Sequence, residues 1–316
     1  MTMLRVAVLR IGMAVPILFG VSVIVFLLMN VLPGSAEASL VSDDMSAAER
    51  QAIRDELGLN DPLPLRYLHW LGDALHGDLG YSAQRRRDVT DLLLQAWGNT
   101  AVLAVVSAVF GISLGLWLGY VAGTRRGRLI DRITGVVSLS GLSIPSFFLA
   151  IILLAVFAGG LRLLPSGGAN LDSGLLMALR SLVLPVLSGS LITMAITARV
   201  TRASIVDVAG ADFVETLRAK GLSEREVRRH ILRNAISPVL TTSGVQIGAL
   251  LGGSVLVETI FRWPGMGLLV FTAISARDLL VVQGATLVIA VTFVLVNLVV
   301  DLLQAWIDPR VRGAVA

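Results

Sequence analysis

Six long stretches of this chain contain no Asp, Glu, Lys, Arg or His: residues 11–32, 100–123, 133–160, 182–198, 236–257 and 280–300. Crossing about 30 Å of hydrocarbon takes about 20 mostly apolar residues. Inside lipid every backbone polar group must be satisfied within the segment, so such stretches fold as helices. Composition agrees, with 55% hydrophobic and 15% charged residues, against about 25% charged in soluble domains. This excludes a soluble globular enzyme, a disordered chain and a free-standing nucleic-acid binder. The expectation is an all-α integral membrane protein with six transmembrane helices, embedded in the lipid bilayer. Pro145 interrupts the third stretch and Pro185 the fourth, which predicts a kink at each.

Basic residues orient the spans. With both termini inside, the inner segments hold 16 of the 26 Lys and Arg, eight of them in 199–235. Six of the remaining ten fall in the long outer segment 33–99, and long loops contribute little to orientation. Both termini are therefore expected on the cytoplasmic side. Arg5 and Arg10 before the first stretch, with Ala36-Glu37-Ala38 beyond it, also resemble a signal peptide. The apolar run is longer than the about 7–15 residues of a signal h-region, which favours a retained helix.

Three parts follow: 1–32, the N-terminal tail and first helix; 33–99, an extracytoplasmic segment; and 100–316, a core with a cytoplasmic loop at 199–235. Segment 33–99 holds 11 of the 22 acidic residues. Ser46 and Glu49 have capping-box spacing, which predicts a helix over 47–57, and 64–75 suits another. Gly77-Asp78-Leu79-Gly80 reads as a turn. His69 and His76 lie seven apart and read as solvated surface side chains rather than a metal pair. Gly111, Gly115, Gly119 and Gly123 recur every four residues, as do Gly244, Gly248 and Gly252. That spacing puts glycine on one helix face and predicts close helix packing.

The energy source is constrained by what the spans lack. Ion-driven carriers bury ionisable residues within the membrane, and an intramembrane enzyme needs acids, bases or metal ligands there. These stretches offer none, which disfavours both. The one lysine, Lys220, sits in Ala219-Lys220-Gly221 and cannot belong to a phosphate-binding G-x-x-x-x-G-K-[ST] motif. No cofactor is expected in this chain, and ATP-driven transport would need a separate subunit to bind ATP and Mg²⁺.

The loop 199–235 reads as a docking device. Asp212 to Lys220 reads as helix, with Gly221 suited to the left-handed position after it. Leu217 and Leu222 then form the apolar pair of a Schellman ending. Ser223 caps the next helix with Glu226 completing a capping box, and Leu222 with Val227 makes a hydrophobic staple. The result is a tight corner whose second helix, ending before Pro238, carries Arg225, Arg228, Arg229 and Arg233. A basic helix lying on anionic lipid is the rival reading. Lying flat requires a broad apolar face, and Phe213, Val214, Leu217, Leu222, Val227, Ile231 and Leu232 are few.

At this loop the chain resembles a known family. Asp212-Phe-Val-Glu215-Thr-Leu-Arg-Ala219-Lys220-Gly221-Leu222-Ser223, followed by His230-Ile-Leu-Arg-Asn-Ala-Ile-Ser-Pro238, is similar to the EAA loop of ABC-importer permeases, in the version of the dipeptide, oligopeptide and nickel branch. Leu32-Pro-Gly34, Gly77-Asp-Leu-Gly-Tyr-Ser82, Ser143-Ile-Pro-Ser-Phe147, Leu164-Pro-Ser-Gly167 and Val257-Glu-Thr-Ile-Phe-Arg-Trp-Pro-Gly-Met-Gly267 agree in order along nearly the whole chain. The long outer segment matches the first permease subunit of such systems. Two departures stand out: Ser35-Ala36 replaces Asp-Pro after Gly34, and Glu215-Thr216-Leu217 replaces Glu-Ala-Ala.

The resemblance implies a type I ABC importer permease fold in a bacterial cytoplasmic membrane, with coupling helices and a small extracytoplasmic helical insertion. It implies a non-catalytic subunit forming half of a pathway, paired with a second homologous permease, two ATP-binding subunits and an extracytoplasmic solute-binding protein. Asp212, Glu215, Ala219, Lys220, Gly221, Leu222, Ser223, Glu226 and Arg229 would then couple to an ATPase subunit. Substrates in the branch include di- and oligopeptides, nickel chelates and glutathione. The uniformly apolar spans single out no pathway residue.

Overall fold

The structure is a computed structural model, and it describes residues 3–31, 51, 61–170 and 173–307. Of the expected helix 47–57, only Gln51 is among them. Helix α1 (Met3–Val31) is followed by α2 (Leu63–Leu75), a hairpin of β1 (Tyr81–Ser82) and β2 (Arg87–Asp88), and α3 (Val89–Thr124). Then come α4 (Leu129–Ser143), α5 (Ser146–Leu153) with a π-helical extension at Leu154–Gly160, α6 (Leu175–Gly189) and α7 (Leu191–Ala209). Helices α8 (Asp212–Ala219), α9 (Glu224–Gly253), α10 (Val255–Ile260), α11 (Met266–Ser275) and α12 (Leu279–Ile307) complete the order.

The chain divides into two units. One comprises Leu9–Thr100 and Pro264–Leu295. Its core joins Val89, Leu93 and Ala96 of α3 to Leu269 and Ala273 of α11 and Val281 and Ala285 of α12. The hairpin is pinned to this core, because the Ser82 hydroxyl donates to the buried Asp278 carboxylate. The expected helix over 64–75 forms as α2, and Gly77 (φ +87) and Gly80 (φ +89) supply the left-handed positions of the expected turn. Helix α2 packs on α1 through Tyr67, whose hydroxyl lies 2.8 Å from Ser22 Oγ.

The other unit comprises Met1–Val8, Ala101–Trp263 and Val296–Ala316. Helix α7 is its centre, with α3, α4 and α9 packed around it. The glycine face of α3 fits against α7 almost without space. A Cβ on Gly115 would lie 2.7 Å from the Met194 carbonyl oxygen, and one on Gly119 2.5 Å from that of Ala198. Gly111 and Gly123 are nearly as tight, at 3.0 and 2.9 Å. On the opposite pairing, a Cβ on Gly141 of α4 would meet Ala195 at 3.1 Å. The glycines of α9 differ: a Cβ on Gly248 would meet only the Asn297 side chain, at 3.3 Å. Gly244 is buried, and Gly252 is described by its helical backbone alone.

By length and apolarity, three described helices can cross a membrane: Arg10–Leu28, Val89–Thr124 and Leu279–Leu302. Two bent pairs raise this to five if each crosses once. The first pair bends by 100° between Ser143 and Ser146, at the predicted Pro145. The second bends by 55° at Ser190, not at Pro185. Helix α6 runs through Pro185, and the break falls at the following Gly189-Ser190 pair, a recurrent kink site. There the Ser188 hydroxyl donates to the carbonyls of Leu184 (3.0 Å) and Pro185 (3.1 Å), back-bonding that bends helices. The remaining expected stretch, 236–257, runs through α9 and across a break at Ser254.

Pro238 overturns a second expectation, since α9 continues through it to Gly253. Interior proline costs about 3 kcal/mol or more. The neighbours of Pro238 offset that cost: Ala235 and Val239 are buried, and Ser204 Oγ of α7 donates to the Ala235 carbonyl at 2.8 Å. Tertiary packing holds the helix together across the missing donor.

Candidate functional site

The 212–234 corner is built by local rules. Lys220 caps α8 and Gly221 follows with φ +79. The Gly221 N–H donates to the Arg218 carbonyl (2.9 Å) and the Leu222 N–H to that of Leu217 (3.3 Å), the two bonds of a Schellman ending. Both arms of the capping box form: Glu226 N–H donates to Ser223 Oγ at 3.4 Å, and Ser223 N–H to Glu226 Oε2 at 2.9 Å. The Ser223 hydroxyl, and then its backbone N–H, hold the Glu226 carboxyl below the usual carboxylate range.

One side of the corner is apolar and one is charged. Val214, Val227, Ile231 and Ala235 bury against Ile205 of α7, with Leu217, Leu222, Val208 and Tyr120 packed around them. Asp212, Glu215, Ala219, Lys220, Gly221, Ser223, Glu226 and Arg229 are all exposed, as are Arg225, Arg228 and Arg233. Phe213 and Leu232 stay on that open side at 39% and 38% exposure. Arg218 and Glu224 form an exposed pair across the corner at 3.0 Å, which contributes little stability. The site therefore offers shape and charge without a catalytic constellation, and among the described residues no cluster of His, Cys, Asp and Glu could hold a metal.

Sequence reasoning missed how α7, on which the corner rests, is fastened to its neighbours. Asp131, at the start of α4, pairs with Arg202 of α7 and accepts the Gly127 N–H at 2.9 Å. These partners lie 71 residues apart, and no local pattern joins them. The Ser204–Ala235 bond is equally non-local. The four-residue spacing of Val227, Ile231 and Ala235 was the one available signal for a buried seam on α9. Glu258, just past the last residue of the fifth apolar stretch, is fully buried and accepts the Ser254 hydroxyl at 2.6 Å.

Residues 111–313 match the family model described as "Binding-protein-dependent transport system inner membrane component". Residues 3–104 match the one described as "Binding-prot-dependent transport system membrane comp, N-term". The chain belongs to this family. It is the permease subunit of an ABC importer, embedded in the membrane, and membership implies ATP-binding subunits and a binding protein.

The permease is similar to the glutathione transport system permease protein GsiC of Escherichia coli strain K12, 39% identical over 311 residues and covering 98% of this chain and 99% of that one. The protein of the same name from Shigella boydii serotype 4 is 40% identical over the same span. A solved structure described as "Inward facing conformations of the MetNI methionine ABC transporter: CY5 native crystal form" is similar with a TM-score of 0.55 and 19% identity, covering 69% of this chain and 96% of that chain. That likeness is one of fold, and it agrees with the expected type I importer permease architecture.

Proposed function

We propose that this permease forms half of a translocation pathway for small peptide-like solutes, a class spanning di- and oligopeptides and glutathione. A second homologous permease supplies the other half. Two separate subunits bind ATP and Mg²⁺, and a binding protein delivers solute on the extracytoplasmic side. Both termini face the cytoplasm, as does the 212–234 corner, which docks on an ATP-binding subunit. The observation that carries the docking role is mechanical: an exposed, basic, doubly capped corner is fixed by a buried apolar seam to the central helix α7. Force on the corner therefore reaches the core without passing through a flexible joint. The names of the relatives support the solute class.

Gly221→Pro tests the coupling role. Proline fixes φ near −65°, whereas Gly221 sits at +79, so the corner cannot close. Co-purification of the ATP-binding subunits on tagged permease should fall at least ten-fold and uptake should vanish, while membrane insertion persists. Normal co-purification and uptake would overturn the docking role.

A further inference from the structure

Three interruptions of helical backbone meet at one place in the unit built around α7. They are the start of α5 at Ser146, the end of α6 at Gly189, and the α9–α10 junction at Ser254. All three residues line a single cavity of about 170 Å³, together with Ser107 of α3, Thr193 of α7 and Gln246 of α9. That volume is about five waters at about 30 Å³ each. Non-helical backbone at membrane depth is tolerated where it is buried or lines a cavity. In secondary transporters, helices interrupted in this way point to the solute site.

The lining has a specific chemistry. The Ser107 residue is 2% exposed, and its hydroxyl has no hydrogen-bond partner among the described residues. A buried polar atom of that kind calls for a water or a ligand. The hydroxyl lies beside the α6 break, since a Cβ on Gly189 would sit in ordinary contact with Ser107 Oγ at 3.5 Å. Gln246 brings an amide, with two donors and an acceptor. The Ser254 hydroxyl is already committed to Glu258. No lining residue carries a charge, while hydroxyls and an amide supply both donors and acceptors. A peptide group needs that pairing, because it presents one N–H and one C=O.

We propose that this cavity is a solute-contact site on the translocation pathway, taking uncharged amide groups of the passing solute, with Ser107 and Gln246 as the contacting side chains. The assignment rests on the peptide-like solute class above. The chain has no cysteine, so labelling read on the separated permease band reports the introduced cysteine alone. In the assembled transporter, Ser107→Cys, Gln246→Cys and Val109→Cys are treated with a charged, water-soluble methanethiosulfonate. Val109 is the control, 61% exposed on the same helix. The first two are expected to label at least ten-fold faster than the third. S-methylglutathione or trialanine, both thiol-free peptides, should slow them at least three-fold.

Gln246→Leu should cut uptake of the same peptides at least ten-fold, and Gln246→Asn should restore part of it. Labelling no faster than at Val109 overturns the proposal. So does fast labelling that a transported peptide fails to slow, which would leave a water cavity only. If neither peptide is taken up by the wild type, the solute class itself is wrong, and the two failures are thereby told apart.

Discussion

Replacing Gly119 by alanine probes the closest-packed glycine among the described residues. The new Cβ would lie 2.5 Å from both the Ala198 carbonyl oxygen and Thr201 Cβ. Neither neighbour is the end of a flexible side chain, so the relief has to come from the helices moving apart by roughly 1 Å. A gap of that size forfeits about a quarter to a half of the dispersion energy along the seam. Overpacking of this kind costs about 1–3 kcal/mol, and the helix preference of alanine over glycine returns at most about 1. A net loss of about 1–2 kcal/mol is expected. Gly98→Ala is the control on the same helix, because nothing lies within 4 Å of its Cβ position. It should be neutral or stabilising. The assay is thermal unfolding of the purified transporter, followed by loss of the monodisperse peak on size-exclusion chromatography. Gly119→Ala should melt a few degrees below Gly98→Ala. Gly115→Ala and Gly111→Ala should fall between them, following clearances of 2.7 and 3.0 Å. The packing argument fails if Gly119→Ala melts at or above Gly98→Ala.

Other outcomes follow from the corner and its anchor. Ser223→Ala removes a helix cap and should cost about 1 kcal/mol of local stability, read as faster amide exchange over the first turn of α9; unchanged exchange would refute the cap. Glu226 has a folded pKa below its unfolded value, so its contribution is complete above about pH 4.3 and is lost as pH falls through the folded value. Co-purification of the ATP-binding subunits should therefore be flat between about pH 5 and about pH 8, and a Glu226-dependent fall within that window would contradict the assignment. Asp131→Asn and Arg202→Gln should each destabilise by about 1 kcal/mol, because Arg202 is partly solvated and its pair with Asp131 is discounted accordingly. The double variant should cost less than the sum, and full additivity would show that the two do not interact.

What could be read in advance depended on sequence distance. The Gly221 turn, the Ser223–Glu226 box and α2 follow rules that span three or four residues, and all of them form. The glycine face of α3 was legible as a packing surface, but its partner on α7 was not, since Thr193 and Thr197 read as ordinary span residues and Thr201 fell in the loop 199–235. Pro185 and Pro238 misled for different reasons: the Gly189-Ser190 pair, with Ser188 back-bonding, moves the bend past Pro185, while contacts from another helix outweigh the local penalty at Pro238. The Asp131–Arg202 pair and the Ser107 cavity were hidden because each is assembled from stretches far apart in the chain. Of the three backbone breaks only the one at Pro145 was visible in the sequence, and nothing local said that they would meet.

The seam between α3 and α7 has the geometry of a ruler laid against a ruler. Gly111, Gly115, Gly119 and Gly123 face Thr193, Thr197, Thr201 and Ile205 in turn, a constant offset along parallel helices. Sliding by one division, about 6 Å at 1.5 Å per residue, would set Gly115, Gly119 and Gly123 against Thr193, Thr197 and Thr201. The Thr197 and Thr201 hydroxyls make no hydrogen bond among the described residues, so direction is not locked along the edge. The bulk of Ile205 against Gly123 breaks the repeat at one end, while Arg202 on Asp131 and Ser204 on the Ala235 carbonyl fix α7 to α4 and to α9. The docking corner rests on Ile205, and Ala235 belongs to the same cluster. The element held ready for the ATP-binding subunit thus abuts one end of the ruler, where Tyr120 of α3 packs against the same cluster as Ile205 of α7.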